Sequence, residues 1–347
     1  MDEIESKFKA TLLGGAIGDA LGYPIEFSSI ENIREIYGPK GLCGFELDPT
    51  SGLALISDDT QMSLFTADGL LWAYYRGSYK GVESYAKKGI YPSYMRWYYT
   101  QTKQLPEGTD KRILETQSFE RHGSLMDEAK LFAKRSPGNT CLSALASGNM
   151  GSMDEPLNQS KGCGGVMRVA PIGLFLYKDP LQAFYVACEA AAITHGHPTG
   201  FLAAGALAML VALLVGHHSM EESLTTTMAH LKLYPEGQET VDALQKAESL
   251  AHSQLSELNN ASIESLGKGW IAEEALSMAW YAARVAENFK HGICLSVNHG
   301  GDSDSTGAIC GYLMGARWGM EVLEKDWLTA LECRELILDM ADKLYRF

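Results

Sequence analysis

Two acidic segments, far apart in the chain, carry the side chains that could do chemistry. Residues 57–60 read Ser-Asp-Asp-Thr and begin a helix-like run, and residues 300–307 read Gly-Gly-Asp-Ser-Asp-Ser-Thr-Gly before a second apolar run. A helix N-terminus needs one such side chain as its cap. In the second segment both Asp302 and Asp304 are available for that role, so at least one carboxylate has no local function.

Together the two segments offer four carboxylates and several hydroxyl groups. If they packed against each other without a cation, the charges would repel or the carboxyl groups would take up protons. Neither segment contains Cys or His, and oxygen ligands suit Mg²⁺, Mn²⁺ or Ca²⁺ better than Zn²⁺ or copper. The pattern therefore predicts a site for two divalent cations if the segments meet in space. Two ordinary acidic helix caps are the alternative.

The composition narrows the class of protein. Hydrophobic residues make up 46% and charged residues 21% of the chain, and the net charge is −14. Bulk attraction to nucleic acid or to an anionic membrane is therefore not expected, and local groups must hold any anionic ligand. The seven cysteines are scattered without CxxC spacing, and the N-terminus is acidic and lacks the features of a signal peptide. These features predict reduced thiols and a cytoplasmic location.

Helical periodicity dominates the sequence, and strand-like alternation is nearly absent. One apolar helix face runs through residues 4–15 and another through residues 202–213. No repeat or Pro/Ser-rich linker divides the chain, so we expect an all-α fold and a single domain over residues 1–347, a compact multi-helix array. Further helical runs are predicted at Gln61–Tyr75, Leu181–Thr194, Met220–Leu233, Glu239–Leu255, Ile271–Phe289 and Trp327–Leu344.

Two other regions stand out by composition. The apolar run Phe201–Gly216 has about 16 residues, fewer than the ~20 that span a bilayer, and predicts a buried helix. The region Tyr99–Pro137 has little periodicity, which is typical of a mobile loop that faces the substrate.

Small residues mark places of close approach. The run Gly14–Glu26 contains four glycines in a helical pattern, which is tolerable where another helix or a ligand comes near. It ends at Glu26, which either faces the acidic centre or lies on the surface. The segments Pro137–Cys141 and Ser160–Arg168 lead into helices and could expose amides to phosphate oxygens, with Lys161 and Arg168 as nearby cations.

Two aromatic or basic motifs have alternative interpretations. His195 and His197 lie at a helix junction, where a histidine could act as a base, bind a phosphate or make an ordinary polar contact. A nucleophilic pair of Cys163 with His195 is conceivable, but nothing in the sequence indicates that the thiol is activated. Trp270 lies between a flexible loop and a helix and could stack on a base or pack against the core.

Taken in order, these motifs resemble the ADP-ribosylglycohydrolase family, and most of all its dinitrogenase-reductase-activating branch. The resemblance extends over about residues 10–320 and rests on GGAIGDALGYPIE, SDDTQM, GNTC, SKGCGGVMRVAPIG, THGHP, GKGWIAEEAL and GGDSDSTGAI. It implies an all-α fold, a binuclear Mg²⁺ or Mn²⁺ centre and hydrolysis of the glycosidic bond between ADP-ribose and a protein side chain. The substrate would be an ADP-ribosylated protein and the product ADP-ribose, and a cognate ADP-ribosyltransferase is a further partner to consider.

The resemblance also implies roles for residues that match the family motifs. The metal ligands would be Ser57, Asp58, Asp59, Asp302, Asp304 and Ser305. The catalytic carboxylates would be Asp58, Asp59, Asp302, Asp304 and Glu26. Phosphate and ribose would contact Gly138, Asn139, Thr140, Ser160, Lys161, Gly162, Cys163, Gly164, Gly165 and His195. The adenosine would lie near Gly269 and Trp270.

The acceptor side chain is the least determined part of this interpretation. Arginine is preferred, because the GNTC and SKGCGG motifs look like those of the arginine-acting branch. Members of that branch often have a further Asp in the loop that here follows Trp97, and Asp110 is the nearest candidate at a different spacing. Serine is an alternative acceptor. A protein of the same fold that binds ADP-ribose or a toxin without turnover, with an immunity-type role, is the alternative function.

Overall fold

The computed structural model of the chain describes residues 2–80, 84–115, 124–253 and 260–347. The α-helices in these ranges are α1 (Glu3–Gly22), α2 (Ile30–Tyr37), α3 (Asp58–Lys80), α4 (Tyr91–Thr102), α5 (Asn139–Ala146), α6 (Ala170–Phe175), α7 (Pro180–Ala192), α8 (Pro198–Val215), α9 (Met220–Leu231), α10 (Gln238–Ser253), α11 (Asn260–Glu264), α12 (Ala272–Val285), α13 (Phe289–Val297), α14 (Ser303–Trp318), α15 (Lys325–Ala330) and α16 (Arg334–Arg346). A π-helical turn spans Ala86–Ile90, and 3₁₀ turns span Tyr23–Ile25, Lys111–Leu114, Leu125–Asp127, Ala129–Phe132, Cys163–Gly165, Pro235–Gly237 and Met320–Val322.

The all-α prediction is confirmed. Across the described ranges the β-type contacts are isolated bridges, Ala54 with Leu331 and Gly162 with Ile271, and no strand forms. The predicted runs that begin at Gln61, Leu181, Met220 and Glu239 correspond to α3, α7, α9 and α10. The last two residues of the predicted run Glu239–Leu255 lie outside the described residues.

Two predicted helical runs are interrupted. The run Ile271–Phe289 is helical as far as Val285, and its last residue, Phe289, already begins α13, which Asn288 caps by accepting a hydrogen bond from the amide of His291 at 2.9 Å. The run Trp327–Leu344 breaks at residues 331–333. There the amide of Glu332 donates to Ala54 at 3.0 Å, and Cys333 has a left-handed φ of 56°. This second break holds the segment that leads into the first acidic motif.

Helices α1 and α14 pack antiparallel and closer than side chains allow. A Cβ added at Gly14, Gly18 or Gly22 would lie 2.6 Å from the carbonyl oxygen of Gly311, 2.0 Å from that of Gly307 and 2.2 Å from that of Ser303. The close approach therefore repeats every four residues along one helix face, as expected for successive turns. The glycines predicted to admit a neighbour do so, and the neighbour is a helix. This packing brings the C-terminal end of α1 to the N-terminal end of α14.

Helix α8 lies inside the molecule. It is the helix in the described ranges that is long and apolar enough to cross a membrane, with a mean hydropathy of 2.1 over 18 residues, and 94% of that stretch is buried. The prediction of a buried helix at Phe201–Gly216 is confirmed. Helices α6, α7, α9, α12 and α14 contact it.

Candidate active site

The two acidic segments meet at the bottom of one cleft. One carboxylate oxygen from each of Glu26, Asp302 and Asp304 lies within 4.8 Å of the other two. Asp58 and Asp59, from the start of α3, line the same cleft, which has a volume of about 470 Å³. Glu26 is buried rather than on the surface, because the 3₁₀ turn after α1 folds it toward the start of α14. Five carboxylates from three separate elements thus share one site.

Asp19 joins the two halves of this site. It is fully buried on α1 and accepts hydrogen bonds from the amide of Ser57 at 3.0 Å and from the amide and hydroxyl of Thr60. It therefore caps the N-terminus of α3 from another helix. This fixes the position of the first turn of α3, which carries Asp58 and Asp59. Our sequence reasoning gave Asp19 no role. The available signal was a carboxylate within a buried, glycine-rich helix, which needs a polar partner to be stable there.

The carboxylates of α3 are only partly satisfied by the protein. Asp58 accepts from the amide of Gly138 at 3.2 Å, and the amide of Asp59 donates to the hydroxyl of Ser57 at 3.2 Å. Oδ1 of Asp59 and Oε2 of Glu26 are buried and have no hydrogen-bond partner within the described part of the chain. Buried oxygens without a donor are what a bound cation would satisfy.

The carboxylates of the second segment have closer partners. Asp302 caps α14 by accepting from the amide of Ser305 at 3.3 Å, and its other oxygen accepts from the thiol of Cys163 at 2.7 Å. Asp304 accepts from the same amide at 2.9 Å. Ser305 lines the cleft, whereas Ser57 is fully buried and does not.

Burial and mutual repulsion shift the acidity of this cluster. Burial, reinforced by the charge of Asp304, raises the pKa of Asp58, Asp59 and Asp302 well above the usual aspartate range. The same causes raise the pKa of Glu26 to about 8 and that of Asp19 to about 7. Protons would therefore stay on several of these groups near neutral pH unless cations replace them. The set of hard oxygen ligands and the orphaned oxygens fit divalent cations.

The glycine-rich loops form the walls of the cleft. Of the residues that the resemblance assigns to the ligand, the cleft is lined by Gly138, Asn139, Thr140, Gly162, Cys163, Gly164, His195 and Trp270. The remainder, Ser160, Lys161, Gly165 and Gly269, do not line the cleft. Ser160 supports the loop by accepting from the amide of Gly162 at 3.2 Å. Gly269 has a φ of 79° and approaches Thr306 so closely that an added Cβ would lie 2.9 Å away.

The two basic side chains expected beside these loops, those of Lys161 and Arg168, bind other parts of the protein. The Lys161 ammonium forms ion pairs with Glu239 and Glu273. Arg168 is fully buried, where it donates to Thr194 at 2.8 Å and lies over the ring of Tyr94. The expectation that Lys161 and Arg168 supply nearby positive charge to the ligand is therefore corrected: neither lines the cleft.

His195 is a neutral hydrogen-bonding group. Its Nδ1 lies 2.8 Å from the hydroxyl of Thr194, and burial together with the charge of Arg168 lowers its pKa to about 3. The pairing of His195 with Cys163 as a nucleophile has no support, because burial and the nearby Asp302 raise the pKa of the Cys163 thiol.

Two aromatic rings form one edge of the cleft. Trp270 is 38% exposed, Phe27 is 76% exposed, and their rings stack with centroids 5.6 Å apart and planes 18° from parallel. The alternative that Trp270 packs into the core is wrong. Phe27 follows Glu26 directly, and sequence reasoning did not single it out.

A short segment of the cleft wall was also missed. Lys134 and Ser136 line the cleft, and Ser136 has a left-handed conformation with a φ of 49°. A non-glycine residue in that conformation is costly and is typical of functional sites.

Asp110 lies in another part of the molecule. It pairs with Arg112 and lines two other cavities, away from the acidic cleft. Because Asp110 does not line the acidic cleft, it does not supply a carboxylate there for an acceptor guanidinium. Residues 116–123 of the region predicted to be a substrate-facing loop lie outside the described residues, and the mobility of that region stays a prediction.

Comparison with known proteins agrees with this architecture. The sequence model of the ADP-ribosylglycohydrolase family matches residues 1–347. The chain is 24% identical to the ADP-ribosylarginine hydrolase Tri1 of Serratia proteamaculans, over 98% of this chain and 79% of that protein. It is 24% identical to the ADP-ribosyl-[dinitrogen reductase] glycohydrolase of Rhodospirillum rubrum, over 95% of this chain and 92% of that protein.

A solved structure has the same fold. The protein described as an ADP-ribosylglycohydrolase-related protein complex superposes with a TM-score of 0.64 at 23% identity, covering 100% of this chain and 99% of the other. With the family model matched along the whole sequence, this chain belongs to the ADP-ribosylglycohydrolase family and is a hydrolase that acts on ADP-ribosylated substrates.

Proposed function

We propose that this protein removes ADP-ribose from arginine side chains of modified proteins by hydrolysing the N-glycosidic bond with the help of two divalent cations, Mg²⁺ or Mn²⁺. The observation that carries the proposal is the meeting of Glu26, Asp58, Asp59, Asp302 and Asp304 at the bottom of one cleft. We place this activity in the cytoplasm, which the seven free cysteines support.

The cations would be held by residues from both acidic segments. The proposed ligands are Ser57, Asp58, Asp59, Asp302, Asp304 and Ser305. When bound, the cations would neutralise the carboxylates, orient the distal ribose hydroxyls and make a water molecule more acidic. The unpartnered oxygen of Asp59 and the raised pKa values of the aspartates support this assignment, because both indicate negative charge that the protein leaves uncompensated.

The carboxylates of the chain supply the acid–base and electrostatic parts of the reaction. The transition state of glycosidic cleavage resembles an oxocarbenium ion, which nearby carboxylates stabilise. Glu26 has one buried oxygen, Oε2, without a hydrogen-bond partner within the described part of the chain. It is therefore free to accept a proton from a water molecule or to hold one near the leaving group.

The walls of the cleft would hold the rest of the ligand. The amides of Gly138, Gly162 and Cys163 are used within the protein. The amides of Asn139, Thr140 and Gly164, together with neutral His195, suit phosphate and ribose oxygens, which accept hydrogen bonds. Trp270 and Phe27 offer an aromatic surface at the cleft edge for the adenine.

The choice of arginine rests on similarity to relatives that carry arginine in their names, such as Tri1. Serine is the competing acceptor, since Asp110 does not line the acidic cleft. Substrates of both kinds should therefore be compared directly.

The test is release of ADP-ribose from ADP-ribosyl-arginine and ADP-ribosyl-serine proteins by the purified chain. We expect release from the arginine conjugate with Mg²⁺ or Mn²⁺, and loss of release in EDTA or in the Asp304→Asn variant. Release only from the serine conjugate would overturn the acceptor. Full activity in EDTA would overturn the metal dependence, and binding of the conjugate without turnover would favour a recognition or immunity-type protein.

A further inference from the structure

Among the lysines and arginines that the structure describes, Lys134 is the one that lines the cleft. It is exposed and forms no ion pair within the described part of the chain. Lys161 is paired with Glu239 and Glu273, and Arg168 is buried. The neighbouring Arg135 is paired with Glu332 and donates to the carbonyl of Ile56 at 2.9 Å.

The negative charge in the cleft makes a positively charged side chain important for binding an anionic ligand. Five carboxylates line the cleft. Two divalent cations would supply four positive charges, which leaves the site negative before any ligand arrives. His195 cannot compensate, since burial lowers its pKa to about 3. A ligand that carries a diphosphate adds further negative charge, so a fixed positive group beside it has a large effect on binding.

The segment that carries Lys134 is held in place on both sides. The side chain of Gln61 donates to the carbonyl of Ala133 at 3.0 Å, and the amide of Asp58 donates to the carbonyl of Arg135 at 3.2 Å. Three residues farther on, the amide of Gly138 donates to Asp58. The backbone on either side of Lys134 is thus anchored to α3, at the start of which Asp58 and Asp59 lie.

From this arrangement we propose that Lys134 is the cation that binds the diphosphate of the ligand and so positions its distal ribose over the acidic cluster. The inference rests on the proposed function, because it assumes an ADP-ribosyl ligand. Nothing in the sequence motifs marked this lysine, since it precedes the Pro137–Cys141 motif and is one of many charged residues in the region 99–137.

The test is calorimetric titration with Mg²⁺ present, using ADP-ribose and, as a probe without phosphate, adenosine. Lys134→Ala should weaken ADP-ribose binding about tenfold, the loss expected for one charge-assisted contact, while adenosine binding stays the same. Lys134→Arg should restore most of the affinity. Lys130→Ala is the matched control, because Lys130 is exposed on the same region but does not line the cleft. Melting temperatures of all variants should match wild type, because both lysines are exposed.

Kinetics give a second readout. Lys134→Ala should raise KM for the ADP-ribosylated protein by about the same factor and leave kcat nearly unchanged, since the contact is made equally in the ground state and the transition state. ADP-ribose affinity within about twofold of wild type in Lys134→Ala, or an equal loss in Lys130→Ala, would overturn the role of Lys134. Failure of the wild-type protein itself to bind ADP-ribose would overturn the proposed function and this role with it.

Discussion

The floor of the cleft is held by backbone packed against backbone, whereas its rim consists of exposed side chains. On the floor, Gly18 and Gly22 of α1 touch the backbone of α14, and Asp19 joins this pair to the start of α3. On the rim, Phe27, Trp270 and Lys134 are exposed, and the rings of Phe27 and Trp270 stack on each other. The backbone that carries the carboxylates is therefore fixed by packing, whereas we expect substitutions on the rim to leave the fold intact.

Adding one methyl group to the floor, where α1 packs against α14, should destabilise the protein. Gly18→Ala would place a Cβ 2.0 Å from the carbonyl oxygen of Gly307, so the two helices must separate. Helix propensity alone would favour alanine by about 1 kcal/mol. Overpacking costs about 1–3 kcal/mol and occasionally more, and a clash with the backbone of a packed helix is expected at the upper end of that range. We expect a net loss of at least about 2 kcal/mol in the free energy of unfolding, measured by urea denaturation.

Gly44→Ala is the control for this change. An added Cβ at Gly44 has no atom within 4 Å, so we expect a stability within about 0.5 kcal/mol of wild type. Equal stability of the Gly18 and Gly44 variants would show that the contact between α1 and α14 is looser than described.

The charge on the floor should make stability depend on pH and metal. A carboxyl group with a higher pKa in the folded state than in the unfolded state stabilises the fold at low pH, and this contribution is lost as the pH rises toward the folded pKa. Glu26 shifts from 4.5 to about 8 and Asp19 from 3.8 to about 7. In EDTA we therefore expect the melting temperature to fall from about pH 5 to about pH 8, by on the order of 5 °C.

Divalent cations should reverse that loss. They compete with protons for the same oxygens, so the gain in melting temperature on adding Mn²⁺ should be larger at about pH 8 than at about pH 5. Glu26→Gln removes one of the titrating groups and should flatten the profile in EDTA. A metal-free melting temperature that rises over this range would contradict the proposed burial of uncompensated charge.

Substitutions on the rim should weaken substrate binding and leave the melting temperature unchanged. Trp270→Ala removes one ring of an exposed stack, so we expect an unchanged melting temperature and a KM about three- to tenfold higher, in line with about 1 kcal/mol for an aromatic contact. Trp270→Phe should retain most of the affinity. The control is Leu233→Ala, because Leu233 is 73% exposed and does not line the cleft. A large fall in stability for Trp270→Ala would place this residue with the floor.

The sequence allowed us to predict the carboxylates and glycines of the floor, but not the residues from distant parts of the chain that hold them in place. Two carboxylate pairs at helix starts and four glycines in one helix are local patterns with one simple physical reason each. Asp19 was missed because its partners, Ser57 and Thr60, lie about 40 residues away in the chain. The break at residues 331–333 was missed for the same reason, since it depends on Ala54.

The walls of the cleft show where local patterns mislead. Lys161 and Arg168 lie beside a glycine-rich loop in the sequence, but Glu239, Glu273 and Thr194 bind them in the fold. Those partners come from other helices, and no spacing rule indicates them. Lys134 is the opposite case, because it lies outside the motifs in the sequence and yet lines the cleft. The hydrogen bonds that anchor residues 133–138 to α3 bring it there.

The most direct measurement of the central claim is a titration of the metal-free protein with Mn²⁺, followed by calorimetry and by electron paramagnetic resonance, on wild type and on Asp58→Asn and Asp304→Asn. These two variants change one carboxylate in each acidic segment, and Asp110→Asn serves as the control. We expect two bound ions per wild-type chain, loss of at least one in each of the two site variants, and no change in the control. Absence of Mn²⁺ binding to wild type, or unchanged binding in both site variants, would contradict it.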